Sequence, residues 1–360
     1  MSAPVRVHHE NEYVYIIGEI GQNHNGSVGI AKALIDMASQ PIEDDLFNRS
    51  LRSLDAIKLT KRDLTEELSR SQMRKPYRGF NSFGKTYGEH REYLELSNEQ
   101  HFQLFEYAKE KGLDVVETLC SIKCLSILDY FMPDRLKVAS RDLTNLPLLQ
   151  AMAETKIPII LSTGMANESD LHTAISTINK IHNNISILHC LSQYPADYPN
   201  INLRTINYLS NKYPENTVGY SDHSIGISTP VAAVALGAKI IEKHITLDTR
   251  MKGTDQKGSS NLDDLHTMIK DIRNLEISLG TESPPICSDS VKTAKLKLER
   301  SIAVNKNLNK GYVINDEDLH LLSPGDGFSW LDKDKVLNKT LRNNIMKDEV
   351  IYPSDLNPDS

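Results

Sequence analysis

The sequence lacks several features that would place it in a special class of protein. No run of about 18 consecutive apolar residues occurs in its 360 residues, which argues against a membrane-spanning helix. The start, MSAPVRVHHENEY, lacks the apolar stretch of a secretory signal, so we expect a cytoplasmic protein. Only four cysteines occur, and their spacing fits neither a zinc ribbon nor a disulfide scaffold: Cys120, Cys124, Cys190 and Cys287.

Neither sign of charge dominates. The chain has 41 Lys+Arg against 48 Asp+Glu, a net charge of −7. The overall charge therefore does not favour binding to nucleic acid, and an anionic ligand would need a local cluster of positive charge. With 39% hydrophobic and 25% charged residues, disorder, collagen and coiled coil are poor interpretations. The length suggests one large domain and one small domain.

Short apolar runs alternate with amphipathic, helix-like segments. The runs are continuously apolar, as expected of strands that are covered on both faces. Eight such runs predict a (β/α)8 barrel, with an open doubly wound sheet as the alternative. The runs are Tyr13–Gly21, Ala56–Thr60, Asp114–Leu119, Leu136–Ser140, Pro158–Ser162, Ile185–Cys190, Thr217–Ser221 and Lys239–Ile245. The helix-like segments are Val28–Ser39, Asn98–Lys111, Glu168–His182, Thr229–Gly237 and Leu262–Leu279.

The pattern changes after the barrel. The segment TESPPICSDS reads as a linker, and short strands and turns follow it. We therefore expect a barrel over 1–280, a linker over 281–295 and a second domain over 296–360. A domain of that size is marginal alone, so it is expected to pack on a partner surface.

Two connections are unusually long. Residues 41–52 lengthen the path to the second strand, and residues 62–96 form a polar segment after it. A loop this long is usually functional or disordered, and we expect a lid over the barrel mouth. Within it, residues 79–86 (GFNSFGKT) satisfy the P-loop pattern. No buried strand precedes the pattern and Gly88 opposes a helix start, so we predict no nucleotide site.

Polar residues follow nearly every apolar run, and in a barrel these ends meet at one mouth. The lysines and hydroxyls among them, Lys58, Thr118, Lys137, Ser140 and Ser162, suggest a cradle for phosphate or carboxylate. The other interpretation pairs each lysine with a nearby carboxylate. Glu19 and Asp142 are acid–base candidates, since a carboxylate beside cations can stay ionised and accept a proton.

Two histidines stand near the ends of late strands, in YSDHS and EKHIT. Neutral imidazole is a common ligand of Mn, Fe and Zn, so His223 and His244 together predict a metal site that polarises a carbonyl oxygen. Asp222 or Glu242 could orient the rings. Either histidine alone would more often be a core residue.

Five motifs resemble the sialic acid synthase family: GEIGQNHNGS (18–27), ILSTGM (160–165), LHCLSQYP (188–195), VGYSDHS (218–224) and EKHITLD (242–248). The tail from about Arg300 resembles the antifreeze-like SAF domain of that family. The resemblance implies a nonulosonic acid synthase that condenses phosphoenolpyruvate with an open-chain aldose such as N-acetylmannosamine. It also implies a domain-swapped homodimer and a divalent metal on the two histidines, usually Mn2+, with Mg2+ or Co2+ as alternatives.

The resemblance also implies residue roles. Phosphoenolpyruvate would be held by Lys58, Thr118, Lys137, Ser140 and Ser162. The aldose would be held or activated by Glu19, Asn23, Ser192, Tyr194 and Asp255. Carbon 3 of phosphoenolpyruvate would attack the aldehyde, water would add at carbon 2, and phosphate would leave by C–O cleavage, with Glu19 or Asp142 as the acid–base group.

Several positions depart from the family pattern: Thr60 for Gln, Asp142 for Glu, Ser192 for Asn, Gln256 for His and Ser323 for Arg. Because that Arg normally reaches the sugar near its N-acetyl group, the aldose here need not be N-acetylated. Basic residues of the long segment would fit a differently decorated, even phosphorylated, aldose, or would form a solvated surface: Arg70, Arg74, Arg78, Lys85 and Arg91. The alternative to an enzyme is a catalytically silent relative of the family, whose SAF domain serves binding or assembly.

Overall fold

The computed structural model describes residues 13–357, which form two compact units that meet in sequence between Gly280 and Thr281. The first unit holds the eight-stranded barrel. The second unit has its own small core. No helix among residues 13–357 is long and apolar enough to cross a membrane.

Eight parallel strands close into a barrel in which each strand pairs with the next along the chain and the last pairs with the first. All eight predicted runs are confirmed, and the open sheet is excluded by the pairing of Tyr15 with Ile240. The strands are β1 (Tyr15–Gly21), β2 (Ala56–Lys61), β3 (Asp114–Leu119), β4 (Arg135–Val138), β5 (Ile159–Ser162), β6 (Ile185–Cys190), β7 (Thr217–Asp222) and β8 (Ile240–His244).

Helices cover the outside of the barrel. The five predicted helical segments are present, with ends that differ by up to three residues. The helices of the first unit are α1 (Val28–Ser39), α2 (Leu64–Glu67), α3 (Arg70–Met73), α4 (Tyr87–Leu94), α5 (Asn98–Glu110), α6 (Leu146–Glu154), α7 (Glu168–Asn179), α8 (Tyr198–Ile201), α9 (Thr205–Lys212), α10 (Ser228–Ala235) and α11 (Leu262–Leu279). Short 3-10 turns span Ile122–Asp129, Ser140–Asp142 and Gln256–Gly258.

Helix α1 shows why these segments are helical. The Ser27 hydroxyl accepts a hydrogen bond from the Ile30 backbone N–H and caps the first turn. Ala31, Leu34, Ile35 and Ala38 are buried, and their spacing of three and four residues places them on one face. That face packs against the strands.

The interior of the barrel has two layers with different chemistry. The lower layer is apolar and consists of Ile17, Ala56, Val116, Ile160, Leu188 and Ile240. Because side chains alternate along a strand, the residue two positions further on points to the same interior. Those residues are Glu19, Lys58, Thr118, Ser162, Cys190 and Glu242, so the upper layer is polar and charged.

The two long connections are structured. The first contains a hairpin of Ile42–Asp44 with Arg49–Leu51. The predicted lid segment, residues 62–96, contains helices α2 to α4 and a cluster of stacked aromatic rings that includes Tyr77, Phe83 and His90. Short helices and ring stacking replace the open loop that the sequence suggested.

The P-loop-like stretch has no preceding strand, as predicted. The expectation that Gly88 opposes a helix start was wrong, because α4 begins at Tyr87 with a capping box between Thr86 and Glu89. A Cβ on Gly88 would lie 2.8 Å from Met73 Cε. The glycine therefore allows α4 to pack closely on α3.

The second unit contains helix α12 (Lys292–Leu298) and an antiparallel pair, β9 (Ser301–Val304) with β10 (Leu319–Leu322). Its 3-10 turns span Asp289–Val291, Asp316–Asp318, Trp330–Lys335 and Pro353–Asp355. Its core is formed by residues such as Ile302, Val304, Ile314, Val336, Leu341 and Ile351. Helix α12 begins inside the segment that was predicted to be a linker.

Candidate active site

A cavity of about 320 Å³ opens at the carboxyl ends of the barrel strands. Eleven of the thirteen predicted site residues line it: Glu19, Lys58, Thr118, Lys137, Ser140, Ser162, Ser192, Tyr194, His223, His244 and Asp255. These residues come from strands or loops all around the barrel, so they lie close together only because the eight strands form a closed barrel. A concave site with a few directed polar groups is the usual form of a small-molecule site.

Four buried charges form the floor of the cavity. Lys58 Nζ forms an ion pair with Glu19 and lies 3.7 Å from Glu242 Oε2. Lys137 Nζ lies 3.4 Å from Glu242 Oε1, which also accepts a hydrogen bond of 2.8 Å from Ser221 Oγ. The two lysines and two carboxylates are thus each paired within a low-dielectric interior.

The two carboxylates titrate differently because their partners differ. Burial opposes ionisation of Glu242, but the charges of Lys137 and Lys58 outweigh it and hold the pKa of Glu242 well below its usual range. Burial raises the pKa of Glu19 above its usual range, with the Lys58 charge only partly offsetting the rise. Glu19 is therefore the carboxylate better placed to exchange a proton near neutral pH.

The lysines also differ. Burial opposes the charge on Lys58, yet Glu19 and Glu242 raise its pKa overall. Burial lowers the pKa of Lys137, although Glu242 partly offsets this effect. Lys137 is therefore the less firmly charged of the two.

The imidazoles of His223 and His244 are neighbours, with ring centroids 5.4 Å apart. His223 Nδ1 lies 2.8 Å from the Leu191 carbonyl oxygen, to which it donates, so its Nε2 lone pair is left for a ligand. His244 Nδ1 is buried and has no hydrogen-bond partner among the described residues. Burial lowers the pKa of His244 to about 3, so the ring is neutral at physiological pH.

Hydroxyl groups line the side of the cavity formed by the carboxyl ends of β3, β4 and β5. Ser140 Oγ accepts a hydrogen bond of 3.0 Å from the Gly164 N–H. Ser162 Oγ is buried and has no partner within the described part of the chain. Thr118 Oγ1 accepts a hydrogen bond of 3.1 Å from Lys58 Nζ. An unpartnered buried hydroxyl beside two lysines can complete its hydrogen bonding with an anion.

Two predicted site residues do not line the cavity. Asn23 is buried and donates through Nδ2 to the Ile245 carbonyl and to Ser259 Oγ, each at 2.8 Å, so it joins the loop after β1 to the loop after β8. Asp142 lies in a 3-10 turn and accepts a hydrogen bond of 3.3 Å from Arg141 Nε. Its carboxylate pairs with this neighbouring arginine, and Asp142 is not among the residues that line the cavity.

Asp222 does not orient a histidine ring. Its carboxylate accepts hydrogen bonds from Lys243 Nζ at 2.7 Å, from the Tyr220 hydroxyl at 2.9 Å and from the Ser224 N–H at 2.9 Å. Since Asp222 follows Ser221 on β7, it points outward while Ser221 points inward. It therefore stabilises the layer between strands and helices.

The cavity residues that were missing from the predicted set include Arg62, Arg141 and Ser221. Glu242, which was expected to orient a histidine ring, instead pairs with Lys58 and Lys137 and accepts a hydrogen bond from Ser221. The arginines lie on irregular segments, where no periodicity indicates which side chains face the cavity.

The fold and site together define a (β/α)8 barrel protein with a polar, cation-lined cavity at the carboxyl ends of its strands. Residues 51–284 match the NeuB family and residues 299–357 match the SAF domain. The chain belongs to the NeuB family and carries a SAF domain.

Named relatives agree with this assignment. The N-acetylneuraminate-9-phosphate synthase of Drosophila melanogaster is 32% identical, over 95% of this chain and 96% of that protein. The N,N'-diacetyllegionaminic acid synthase of Legionella pneumophila is 33% identical, over 92% of this chain and 91% of that protein. A crystal structure of N-acetylneuraminic acid synthetase from Leptospira borgpetersenii, solved with citrate, is 31% identical with a TM-score of 0.64, covering 78% of this chain and 90% of that one.

Proposed function

We propose that this protein is a nonulosonic acid synthase that condenses phosphoenolpyruvate with an open-chain aldose, releasing phosphate and a 2-keto-3-deoxy sugar acid. One observation carries the proposal. Two buried lysines and an unpartnered buried hydroxyl lie in the same cavity as two adjacent imidazoles. The first group suits an anionic enol phosphate, and the second suits an aldehyde oxygen that needs polarising.

Phosphoenolpyruvate is held by the lysine side of the cavity. Lys58 and Lys137 offset the charge of its phosphate and carboxylate, and the hydroxyls of Thr118, Ser140 and Ser162 donate to their oxygens. The fixed positions of these groups orient carbon 3 toward the aldehyde, which lowers the entropic part of the barrier.

The aldose is held by the opposite side, where Tyr194, Ser192 and Asp255 line the cavity. Carbon 3 attacks the aldehyde carbon and forms the new C–C bond, and the aldehyde oxygen takes a proton. Water then adds to the cation at carbon 2, and the tetrahedral adduct loses phosphate by C–O cleavage. Glu19 is the group that supplies or removes these protons, because its raised pKa allows both forms.

A divalent metal, Mn2+ in our proposal with Mg2+ or Co2+ as alternatives, would be held by His223 and His244. The two rings fit such an ion: His244 has a buried Nδ1 without a partner among the described residues, and buried His223 is fixed through Nδ1 by a carbonyl. Among the described residues, no group of three or more His, Cys, Asp and Glu forms a complete ligand set. The remaining positions would belong to substrate and water, and the ion would polarise the aldehyde oxygen.

We also propose a cytoplasmic location and a homodimer in which the SAF domain of one chain caps the barrel of the other. Phosphoenolpyruvate is a metabolite of the cytoplasm, which supports that location. A domain of some 60 residues is marginal alone, which favours packing on a partner.

The proposed function is tested by incubating the metal-loaded protein with phosphoenolpyruvate and a panel of aldoses. We expect one phosphate and one keto acid per phosphoenolpyruvate consumed, with at least one aldose. Metal removal abolishes the reaction and Mn2+ restores it. No consumption of phosphoenolpyruvate with any aldose, in metal-replete protein, contradicts the proposal and favours a silent relative.

A further inference from the structure

Three arginines lie on the outer wall of the cavity: Arg62, Arg91 and Arg141. Two of them are already paired with carboxylates. Arg62 forms an ion pair with Glu67, and Arg141 lies 3.3 Å from Asp142 and 3.5 Å from Glu67. Among the arginines of the cavity, Arg91 is the one for which the described residues supply no carboxylate partner.

Arg91 has only neutral hydrogen-bond partners. Its Nη1 donates to Gln22 Oε1 at 2.6 Å, and its Nε and Nη2 donate to the Tyr87 hydroxyl at 2.9 and 2.6 Å. No carboxylate of residues 13–357 forms a salt bridge with it. A half-buried guanidinium with neutral partners, facing a cavity, attracts an anionic group such as phosphate, because its planar fork can donate two hydrogen bonds to two phosphate oxygens.

The position of Arg91 is fixed by close packing of α4. A Cβ on Gly26 would lie 2.3 Å from the Tyr93 carbonyl oxygen, so the loop after β1 touches the last turn of this helix. Tyr87 stands one turn before Arg91 and holds its guanidinium from within the helix. A side chain held in place before binding loses little conformational entropy when a ligand arrives.

Arg91 also lies on the side of the cavity where we place the aldose. Its partner Gln22 follows Gly21 in the loop after β1. A Cβ on Gly21 would lie 3.4 Å from His244 Cε1, so this loop borders the imidazole pair. Phosphoenolpyruvate is assigned in the proposed function to the floor lysines, Lys58 and Lys137.

The other basic residues of this segment do not share that position. Arg70, Arg74, Arg78 and Lys85 are exposed and do not line the cavity. Of the five basic residues that the sequence suggested for a differently decorated aldose, the structure brings one to the site.

We propose that Arg91 is a specificity-determining residue that receives a phosphate group at the far end of the aldose. The inference rests on the proposed function and names its substrate class, a phosphorylated aldose. The phosphate replaces no protein partner, because Arg91 can keep its bond to Tyr87 while its remaining N–H groups bind phosphate oxygens.

The test compares an aldose with its terminal phosphate ester, using the metal-loaded, full-length protein and its Arg91→Met and Arg78→Met variants. Consumption of phosphoenolpyruvate gives the kinetic constants. Binding of the corresponding alditol phosphate, which has no aldehyde and cannot react, is measured by calorimetry. Arg78→Met is the matched control, because it removes one exposed charge from the same segment.

We expect the wild-type protein to prefer the phosphorylated aldose. In Arg91→Met, KM for that aldose and Kd for the alditol phosphate rise about tenfold to a hundredfold, as the loss of charged hydrogen bonds implies. The loss in kcat/KM is at least fivefold larger for the phosphorylated aldose than for the free aldose, KM for phosphoenolpyruvate changes less than KM for the phosphorylated aldose, and Arg78→Met behaves as wild type.

Three results overturn the inference and leave the proposed function standing: equal or better turnover of the free aldose by wild type, unchanged alditol phosphate binding in Arg91→Met, or a rise in KM that falls on phosphoenolpyruvate. Absence of turnover with every aldose instead counts against the proposed function. The calorimetric result still decides the role of Arg91 in that case.

Discussion

At the scale of single residues, the chemistry of the site is set by which charges share the barrel floor. Glu242 lies between two lysines and Glu19 pairs with one. This asymmetry drives their pKa values in opposite directions, so two carboxylates in one cavity take different roles. One carboxylate fixes the lysines while the other exchanges protons.

Lys137 offers a residue-scale test of the anion cradle. Lys137→Met keeps most of the side-chain volume and removes the charge near Glu242. We expect KM for phosphoenolpyruvate to rise about tenfold to a hundredfold, with KM for the aldose changed less than threefold. The measurement is steady-state kinetics with each substrate varied. Lys180→Met, an exposed lysine after α7, is the control. A rise confined to the aldose would remove Lys137 from the cradle.

Alternation along the strands explains how much of the site the sequence could predict. Strand periodicity identifies Lys58, Thr118 and His244 as inward-facing near the mouth, and the structure brings them together. Strand periodicity does not predict which way side chains point in loops. There Asp142 accepts a hydrogen bond from Arg141, and Asn23 donates to the Ile245 carbonyl and to Ser259. The sequence suggested Arg91 only as one of five basic residues, because its place at the site depends on how α4 packs.

At the scale of elements, the contact between α4 and the loop after β1 positions the outer wall of the site. Gly26 has φ +74° and Gly112 has φ +76°, but nothing lies within 4 Å of a Cβ on Gly112. Replacing either glycine by alanine therefore places a side chain on a backbone with positive φ, at a similar cost in free energy. Only the replacement at Gly26 also produces a clash with Tyr93.

Gly26→Ala and Gly112→Ala form a matched pair. We expect Gly26→Ala to lose about 1–3 kcal/mol more unfolding free energy than Gly112→Ala, because overpacking adds to the shared cost. Urea unfolding measures the difference. The clash also displaces α4, so KM for the aldose should rise in Gly26→Ala alone. Equal losses and unchanged kinetics would show that this contact does not position Arg91.

At the scale of the whole molecule, the series of apolar runs predicted the fold more completely than it predicted the residues of the site. Eight continuously apolar runs separated by helix-like segments predicted the barrel, because strands that are covered on both faces are apolar along their length. The short helices within residues 62–96 could not be predicted in this way. Helices of four to eight residues depend on local caps and on contacts between aromatic rings. Capping boxes such as Thr86 with Glu89 were the signal available there.

The proposed exchange of SAF domains between chains predicts complementation. A chain ending at Gly280 keeps its own barrel but has no SAF domain, and a full-length His244→Ala chain keeps its SAF domain but has a defective site. We expect each alone to be inactive and co-expressed chains to regain turnover. As a control, a cooperative thermal unfolding transition is used to check that the shortened chain is folded. Full activity of the shortened chain alone, or no recovery on co-expression, would contradict the exchange.

The central claim is that carbon 3 of phosphoenolpyruvate bonds to the aldose and that phosphate leaves carbon 2 by C–O cleavage. The most direct measurement uses phosphoenolpyruvate labelled with 18O in the bridging C–O–P oxygen, with mass spectrometry of both products. The account predicts the label in inorganic phosphate and unlabelled keto acid. Label retained in the organic product would mean P–O cleavage, and the proposed condensation would be wrong.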